Sequence, residues 1–126
     1  MVVVTLTSVS RPGGEDGSVS RADAVEIYQL YARVCKAIAD PKRLLIINEL
    51  RDGPRPVGEI AAALGISSAN ASQHLAILRD RGVVKTRRAG THAYYALTSD
   101  KVLQAVDLLC EFMAERRAPG SGAAAS

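Results

Sequence analysis

The residues best equipped to meet another molecule lie close together in this chain, between Ser67 and His92. The run Ser67-Ser68-Ala69-Asn70-Ala71-Ser72-Gln73-His74-Leu75-Ala76-Ile77-Leu78-Arg79-Asp80-Arg81-Gly82 opens on two candidate N-cap serines and closes on a glycine suited to a left-handed stop. Ala71, Leu75 and Leu78 recur at three- and four-residue spacing and mark one narrow buried face. The other faces carry Ser68, Asn70, Ser72, Gln73 and Arg79, short or planar groups that hydrogen-bond to base edges and phosphates. A surface helix is ordinarily dominated by Glu and Lys, yet this one has a single acid, Asp80. The pattern predicts a helix that lies against nucleic acid, with Ser67 at its mouth. Asn70 and Gln73 are each able to read adenine bidentately, worth about 1–3 kcal/mol per good contact.

Positive charge gathers just beyond. Arg79, Arg81, Lys85, Arg87 and Arg88 oppose only Asp80, so the modest net charge of +3 (pI near 9.1) is concentrated there. With no Trp, one Phe and four Tyr, the chain lacks the aromatic platforms that single-strand binding by stacking needs. The chemistry points to duplex DNA. A nucleophile–base pair of Ser72 and His74 is excluded, because residues i and i+2 on a helix point about 200° apart. There is no glycine-rich phosphate loop and no paired-acid site, so an enzyme is not expected. His74 more often packs within such a helix than touches DNA.

Two cysteines, Cys35 and Cys110, stand far apart and in no CxxC, which predicts a reducing compartment rather than a disulfide framework. The opening Met1-Val2-Val3-Val4-Thr5-Leu6 lacks a basic n-region and a full apolar h-region, and no run reaches transmembrane length. A cytoplasmic protein with no membrane partner is expected.

The elements that must hold these residues read as one small domain of 126 residues, 48% apolar, for which dimerisation would help materially. Residues 1–19 are expected to be a flexible arm, 20–117 the folded domain and 118–126 a disordered tail. Ser20-Arg21-Ala22-Asp23 matches a capping box and opens a first helix, with Ala24, Ile27, Tyr28, Tyr31, Val34, Cys35 and Ile38 as its apolar stripe. Asp40-Pro41 starts a second, apolar around most of its circumference through Leu44, Leu45, Ile46, Ile47 and Leu50. Val57 to Leu64 is a short helix, and the turn Leu64-Gly65-Ile66-Ser67 joins it to the polar helix as a helix-turn-helix. Val83 to Arg88 and Thr91 to Leu97 form a hairpin around Ala89-Gly90. Thr98-Ser99-Asp100 caps a last helix striped by Val102, Leu103, Val106, Leu109, Cys110 and Met113.

Ala39-Asp40-Pro41-Lys42-Arg43-Leu44, Val57-Gly58-Glu59-Ile60-Ala61, Ser72-Gln73-His74-Leu75, Leu78-Arg79 and Gly90-Thr91-His92-Ala93-Tyr94-Tyr95-Ala96-Leu97 follow one another in a familiar order. Together they resemble the ArsR/SmtB family of winged-helix repressors over roughly residues 30 to 110. The resemblance implies a mainly α fold with a small β-hairpin, a winged helix-turn-helix in the order α-α-α-α-β-β-α. It also implies a homodimer clasped through its first and last helices, which sits on an inverted-repeat operator until a small effector or an oxidant releases it. The family's base-reading positions fall on Ser68, Asn70, Ser72 and Gln73. The usual pattern has Gln and Thr where this chain has Ser68 and Asn70, so the operator does not carry over. Arg87, Arg88, Thr91 and His92, with Lys85, would form the wing on the DNA backbone.

Soft-metal sensors of the family carry Cys-x-Cys where this chain reads Val57-Gly58-Glu59-Ile60-Ala61-Ala62, and its zinc and nickel sensors use Asp with His on the last helix. That helix here offers Asp100, Asp107 and Glu111 but no His, a poor set for zinc. No transition metal and no cofactor is therefore expected, although two thiolates shared across a dimer would suit an arsenite-like or mercuric ion. Cys35 and Cys110 are small buried hydrophobes on one reading and a thiol switch on the other. Thiol-sensing relatives place one Cys on the helix after the first, where this chain has Asn48, and one on the last; Cys110 fits that pattern and Cys35 does not. The competing function is a winged-helix protein-interaction module that never meets DNA. Its mark would be an acidic or apolar reading helix and an uncharged wing.

Overall fold

A computed structural model describes residues 20–121 of the chain. The expected N-terminal arm, and residues 122–126 of the expected tail, lie outside the described residues. Helix α1 (Arg21–Ile38) begins at Ser20, whose hydroxyl accepts the Asp23 N–H at 3.1 Å. Helix α2 (Pro41–Glu49) begins at Asp40, whose carboxylate accepts the N–H groups of Lys42 and Arg43 at 3.0 and 3.1 Å. Proline at the first helical position has no N–H to leave unsatisfied there. Both starts agree with the sequence reading.

The chain then runs through a two-residue strand β1 (Arg55–Pro56), α3 (Val57–Leu64), α4 (Ser68–Asp80), β2 (Val84–Ala89), β3 (His92–Leu97) and α5 (Asp100–Ser121). The winged helix-turn-helix expected from the sequence is what forms, with one addition. β1 pairs antiparallel with β3, Arg55 opposite Tyr95 and Pro56 opposite Tyr94, so the hairpin becomes a three-stranded sheet in the order β1-β3-β2. Two residues, one of them a proline confined to an edge, carry no strand signal of their own. Arg55 is fixed from both sides, to Glu49 of α2 at 2.5 Å and Glu59 of α3 at 3.3 Å.

Both helices of the helix-turn-helix stop in the same way. At the end of α3, Gly65 takes φ +70°, while Ile66 N–H bonds to Ala61 O and Gly65 N–H to Ala62 O. At the end of α4, Gly82 takes φ +79°, with Val83 N–H on Leu78 O and Gly82 N–H on Arg79 O. These paired bonds are Schellman motifs, which satisfy the last carbonyls and let the chain reverse at a residue without a Cβ. The second motif also packs Val83 onto Leu78, both fully buried.

One core joins these parts. Ile46, Ile47 and Leu50 of α2 and its following turn meet Ile60 of α3, Leu75 and Leu78 of α4, and Val83 and Val84 at the start of β2. Leu45, expected inside, is 53% exposed because α2 buries one side only, so its apolar circumference overstates its burial. The last helix also runs further than expected. Its backbone stays helical past Arg117 to Ser121, and nothing in the structure explains a continuation through Pro119 and Gly120, both poor helix residues.

Leu75 lies at the centre of the core with no exposure, so Leu75→Ala should cost about 2–5 kcal/mol of unfolding free energy, measured by urea denaturation. A loss below about 1 kcal/mol would mean that α4 is not anchored as described.

Candidate nucleic-acid interface

Helix α4 presents its polar groups because its apolar ones are fully occupied. Ser67 caps it, accepting the Asn70 N–H at 3.0 Å and keeping its own hydroxyl proton free to donate. Ala71, Leu75 and Leu78 have no solvent exposure. At about 100° per residue, Gln73 points directly away from that seam, with the exposed Ala69 and Ala76 beside it. Ser68, Ser72 and Arg79 form one flank of the outward surface, Asn70 and Ile77 the other. Ser68, Asn70, Ser72 and Gln73 are all exposed. The small alanines let the helix backbone approach a groove closely, and Ala methyl groups suit contact with thymine methyls.

The wing is less uniform than its sequence suggests. In β2, side chains alternate between faces, and the register sets Lys85 opposite Ala96, Arg87 opposite Tyr94 and Arg88 opposite Ala93. Arg88 therefore shares a face with Thr86, whose hydroxyl accepts from Arg79 Nη1 at 3.3 Å and so links α4 to the sheet. Lys85 and Arg87 occupy the opposite face with Tyr94 and His92, whose rings meet edge-on at 6.4 Å. The hairpin turns through Gly90 and Thr91 rather than through Ala89 and Gly90, since Ala89 still pairs with His92. Gly90 supplies the positive φ, +67°, that so short a reversal requires. Thr91 and His92 are thus exposed at the tip.

A second anchor for α4 escaped the sequence reading. The Arg43 guanidinium donates to the Ala37 carbonyl and, at 3.3 Å, reaches His74 Nδ1. Arginine has no acceptor, so Nδ1 accepts and the imidazole proton sits on Nε2. The end of α1, the start of α2 and the middle of α4 meet at this one side chain. The Asp40 carboxyl nearby is held below its usual range, chiefly by the backbone hydrogen bond from Arg43. Nothing in the residue spacing links position 43 to position 74; only the packing does. His74 accordingly has a partner inside the protein.

The terminal helices carry a different surface. Ten large apolar side chains are exposed among the described residues, and eight of them belong to α1 and α5: Val25, Tyr28, Leu30, Tyr31, Leu108, Leu109, Phe112 and Met113. Val25, Leu30, Leu108 and Phe112 fall outside the stripes expected from periodicity. On α5 only the first part of the expected stripe packs inward: Val102 and Leu103 are half-buried and Val106 is buried, whereas Leu109, Cys110 and Met113 lie open. A free apolar patch of this kind marks an interaction surface. Cys35 is half-buried and Cys110 exposed, both as free thiols. Cys110 is therefore no core residue in a single copy of the chain. Cys35 holds the Tyr31 phenol above its usual range by its charge and by a hydrogen bond.

Of the three acids noted on the last helix, Asp107 is already engaged. Arg51 donates to both its carboxylate oxygens, at 3.0 and 2.9 Å, and also to the Asn48 carbonyl oxygen. This fork ties the turn after α2 to α5 and holds the Asp107 carboxyl below the ordinary carboxylate range. Among the described residues no group of three or more His, Cys, Asp and Glu side chains comes together as a metal site, and no helix is long and apolar enough to cross a membrane.

Comparison with known proteins places this geometry. Residues 40–86 match the family model described as bacterial regulatory protein, arsR family. The chain is 40% identical over 76 residues to the HTH-type transcriptional regulator NmtR of Mycobacterium tuberculosis, spanning 60% of this chain and 63% of that one, just under two thirds of it. It is 34% identical over 91 residues to the biofilm growth-associated repressor of Xylella fastidiosa, spanning 72% of this chain and 80% of that one. The solution structure of a homodimeric winged helix-turn-helix DNA-binding domain from Mycobacterium bovis superposes with a TM-score of 0.68 at 33% identity, covering 82% of this chain and 94% of that one.

The Arg51–Asp107 fork gives α5 a pH signature. Because folding lowers the Asp107 pKa, the stability it contributes is complete above the unfolded value and is lost as pH falls through the folded one. Thermal melts between pH 7 and pH 3 should therefore show wild type losing stability more steeply than Asp107→Asn below about pH 4 to 5. Parallel curves would show that the fork contributes nothing.

Proposed function

This chain belongs to the ArsR family of bacterial regulatory proteins, and we propose that it works as a homodimeric repressor on an inverted-repeat operator. The family makes it a DNA-binding regulator of transcription and not an enzyme. The observation that carries the DNA reading is the outward surface of α4: four hydrogen-bonding side chains, all exposed, on a helix locked from behind by three fully buried apolar residues. An interaction module that avoided DNA would carry acids or a continuous apolar patch there.

Two copies clasp through the apolar surfaces of α1 and α5, which sets two α4 helices in successive turns of a major groove. Half-site centres then lie about 34–36 Å apart. Ser68, Asn70, Ser72 and Gln73 face base edges, and Ser67, Arg79, Lys85, Arg87, Arg88, Thr91 and His92 meet phosphates and sugars. Arg79 reaches its phosphate from the side of α4 that Thr86 and Arg88 share. Lys85 and Arg87 approach the backbone from the other face of the sheet. The folded unit runs from residue 20 through α5, past the residue 117 expected from the sequence, and works in the cytoplasm.

A footprint and gel-shift series on the DNA upstream of its gene tests this. Arg88→Ala should weaken binding to all sequences alike and reduce the salt slope by about 1, while Gln73→Ala should change sequence preference. Absence of any shift at low ionic strength, or a monomer at micromolar concentration, would sink the proposal.

The releasing signal is read as thiol chemistry at Cys35 and Cys110, which sit on the two helices that form the dimer. Joining two thiols passes two electrons and two protons to the oxidant and alters how α1 and α5 pack, hence the separation of the reading helices. Wild type should leave its operator under peroxide while the Cys35→Ser, Cys110→Ser double variant stays bound. Equal release of both would end the thiol reading without touching the DNA reading.

A further inference from the structure

A groove of about 570 Å³ lies on the face of the sheet that bears Lys85 and Arg87, bounded by the turn between α2 and β1 and by the start of α5. That volume is within the range of small-molecule sites, about 300–1,000 Å³. Its two walls differ in sign. Lys85 and Arg87 stand on the wing side, and Asp52 and Asp100 on the turn and helix side. Tyr94, half-buried on the same face as Lys85 and Arg87, adds an aromatic surface to the lining.

All four charged side chains are exposed, and among the described residues none of them forms an ion pair with another group. Arg51, the other cation on the lining, is already occupied by Asp107 and Asn48. The groove thus sets two cationic side chains on one wall, two acidic ones on the other, with Asp52 also in the field of Arg51, and the face of Tyr94 beside them.

We propose that this groove binds a small zwitterion with an apolar or aromatic body, such as an amino acid or a short peptide. Its carboxylate meets Lys85 and Arg87, its ammonium meets Asp52 and Asp100, and its side chain lies on Tyr94. A mono-anion would meet the acids and a mono-cation the bases, so both charges are required for full affinity.

Amide-resolved NMR titration of the full chain, with no DNA present, tests this separately from the DNA reading. L-phenylalanine is the probe, against phenethylamine and 3-phenylpropanoate, each of which lacks one charge. Phenylalanine should give saturable shifts centred on Gly53, Arg87, Tyr94 and Leu97, with each analogue at least about tenfold weaker, the loss of one charge-assisted contact. The Lys85→Ala, Arg87→Ala double variant should bind phenylalanine and phenethylamine alike. The Asp52→Asn, Asp100→Asn variant should bind phenylalanine and 3-phenylpropanoate alike. Shifts that do not saturate by about 20 mM, equal binding of the three probes, or variants that keep the wild-type preference would each overturn the proposal.

Discussion

The burial of one narrow apolar seam on α4 is what everything else in this protein rests on. Ala71, Leu75 and Leu78 have no exposure, and the side chains they meet come from α2, α3 and the first residues of β2. Fully burying a leucine contributes about 1.5–3 kcal/mol, far more than an exposed polar side chain adds to stability. The helix is therefore held by a third of its circumference while the remainder is free to be chosen for recognition. Ser68, Asn70, Ser72 and Gln73 are exposed and take no part in the core, so the seam alone positions them. Arg43 supplements the seam with a polar clamp, joining the Ala37 carbonyl to His74.

The sheet extends this division of labour by simple alternation. A run of basic residues in an extended strand cannot act as one patch, because successive side chains leave opposite faces. Arg88 goes to the side where Arg79 and Thr86 connect α4 with β2. Lys85 and Arg87 go to the other, beside Tyr94 and across from Asp52 and Asp100. The same short hairpin thus meets α4 on one face and borders a groove of mixed charge on the other. The small strand β1 stiffens it by adding hydrogen bonds along β3.

The terminal helices answer a different requirement. A core drawn mostly from residues 46 to 84 leaves α1 and α5 only loosely covered, and their tyrosines, leucines, Phe112 and Met113 face outward. A chain of this size gains disproportionately from burying such surface against a second copy. On the proposed homodimer this burial would add to stability as well as set the DNA geometry, and the Arg51–Asp107 fork ties α5, which carries half of that surface, to the turn after α2.

Most of the fold was legible from local chemistry. Capping residues announced the starts at Ser20, Asp40 and Ser67, and glycines announced the stops at Gly65 and Gly82. Three-and-four spacing marked the buried face of α4, because caps, positive φ and helical period are properties of neighbouring residues alone. What local chemistry could not reach was any relation between distant positions. The Arg43–His74 contact, the pairing of Arg55 with Tyr95, the outward placement of Leu45 and the Arg51–Asp107 fork all join elements that meet only after packing. So does the groove beside Tyr94. By itself the sequence determined where most helices and the hairpin strands lie, β1 and the end of α5 excepted, and which helix presents hydrogen-bonding side chains in place of charged ones. The tertiary structure alone decided which apolar residues are buried and which are left for a partner, since burial depends on what the rest of the chain brings alongside.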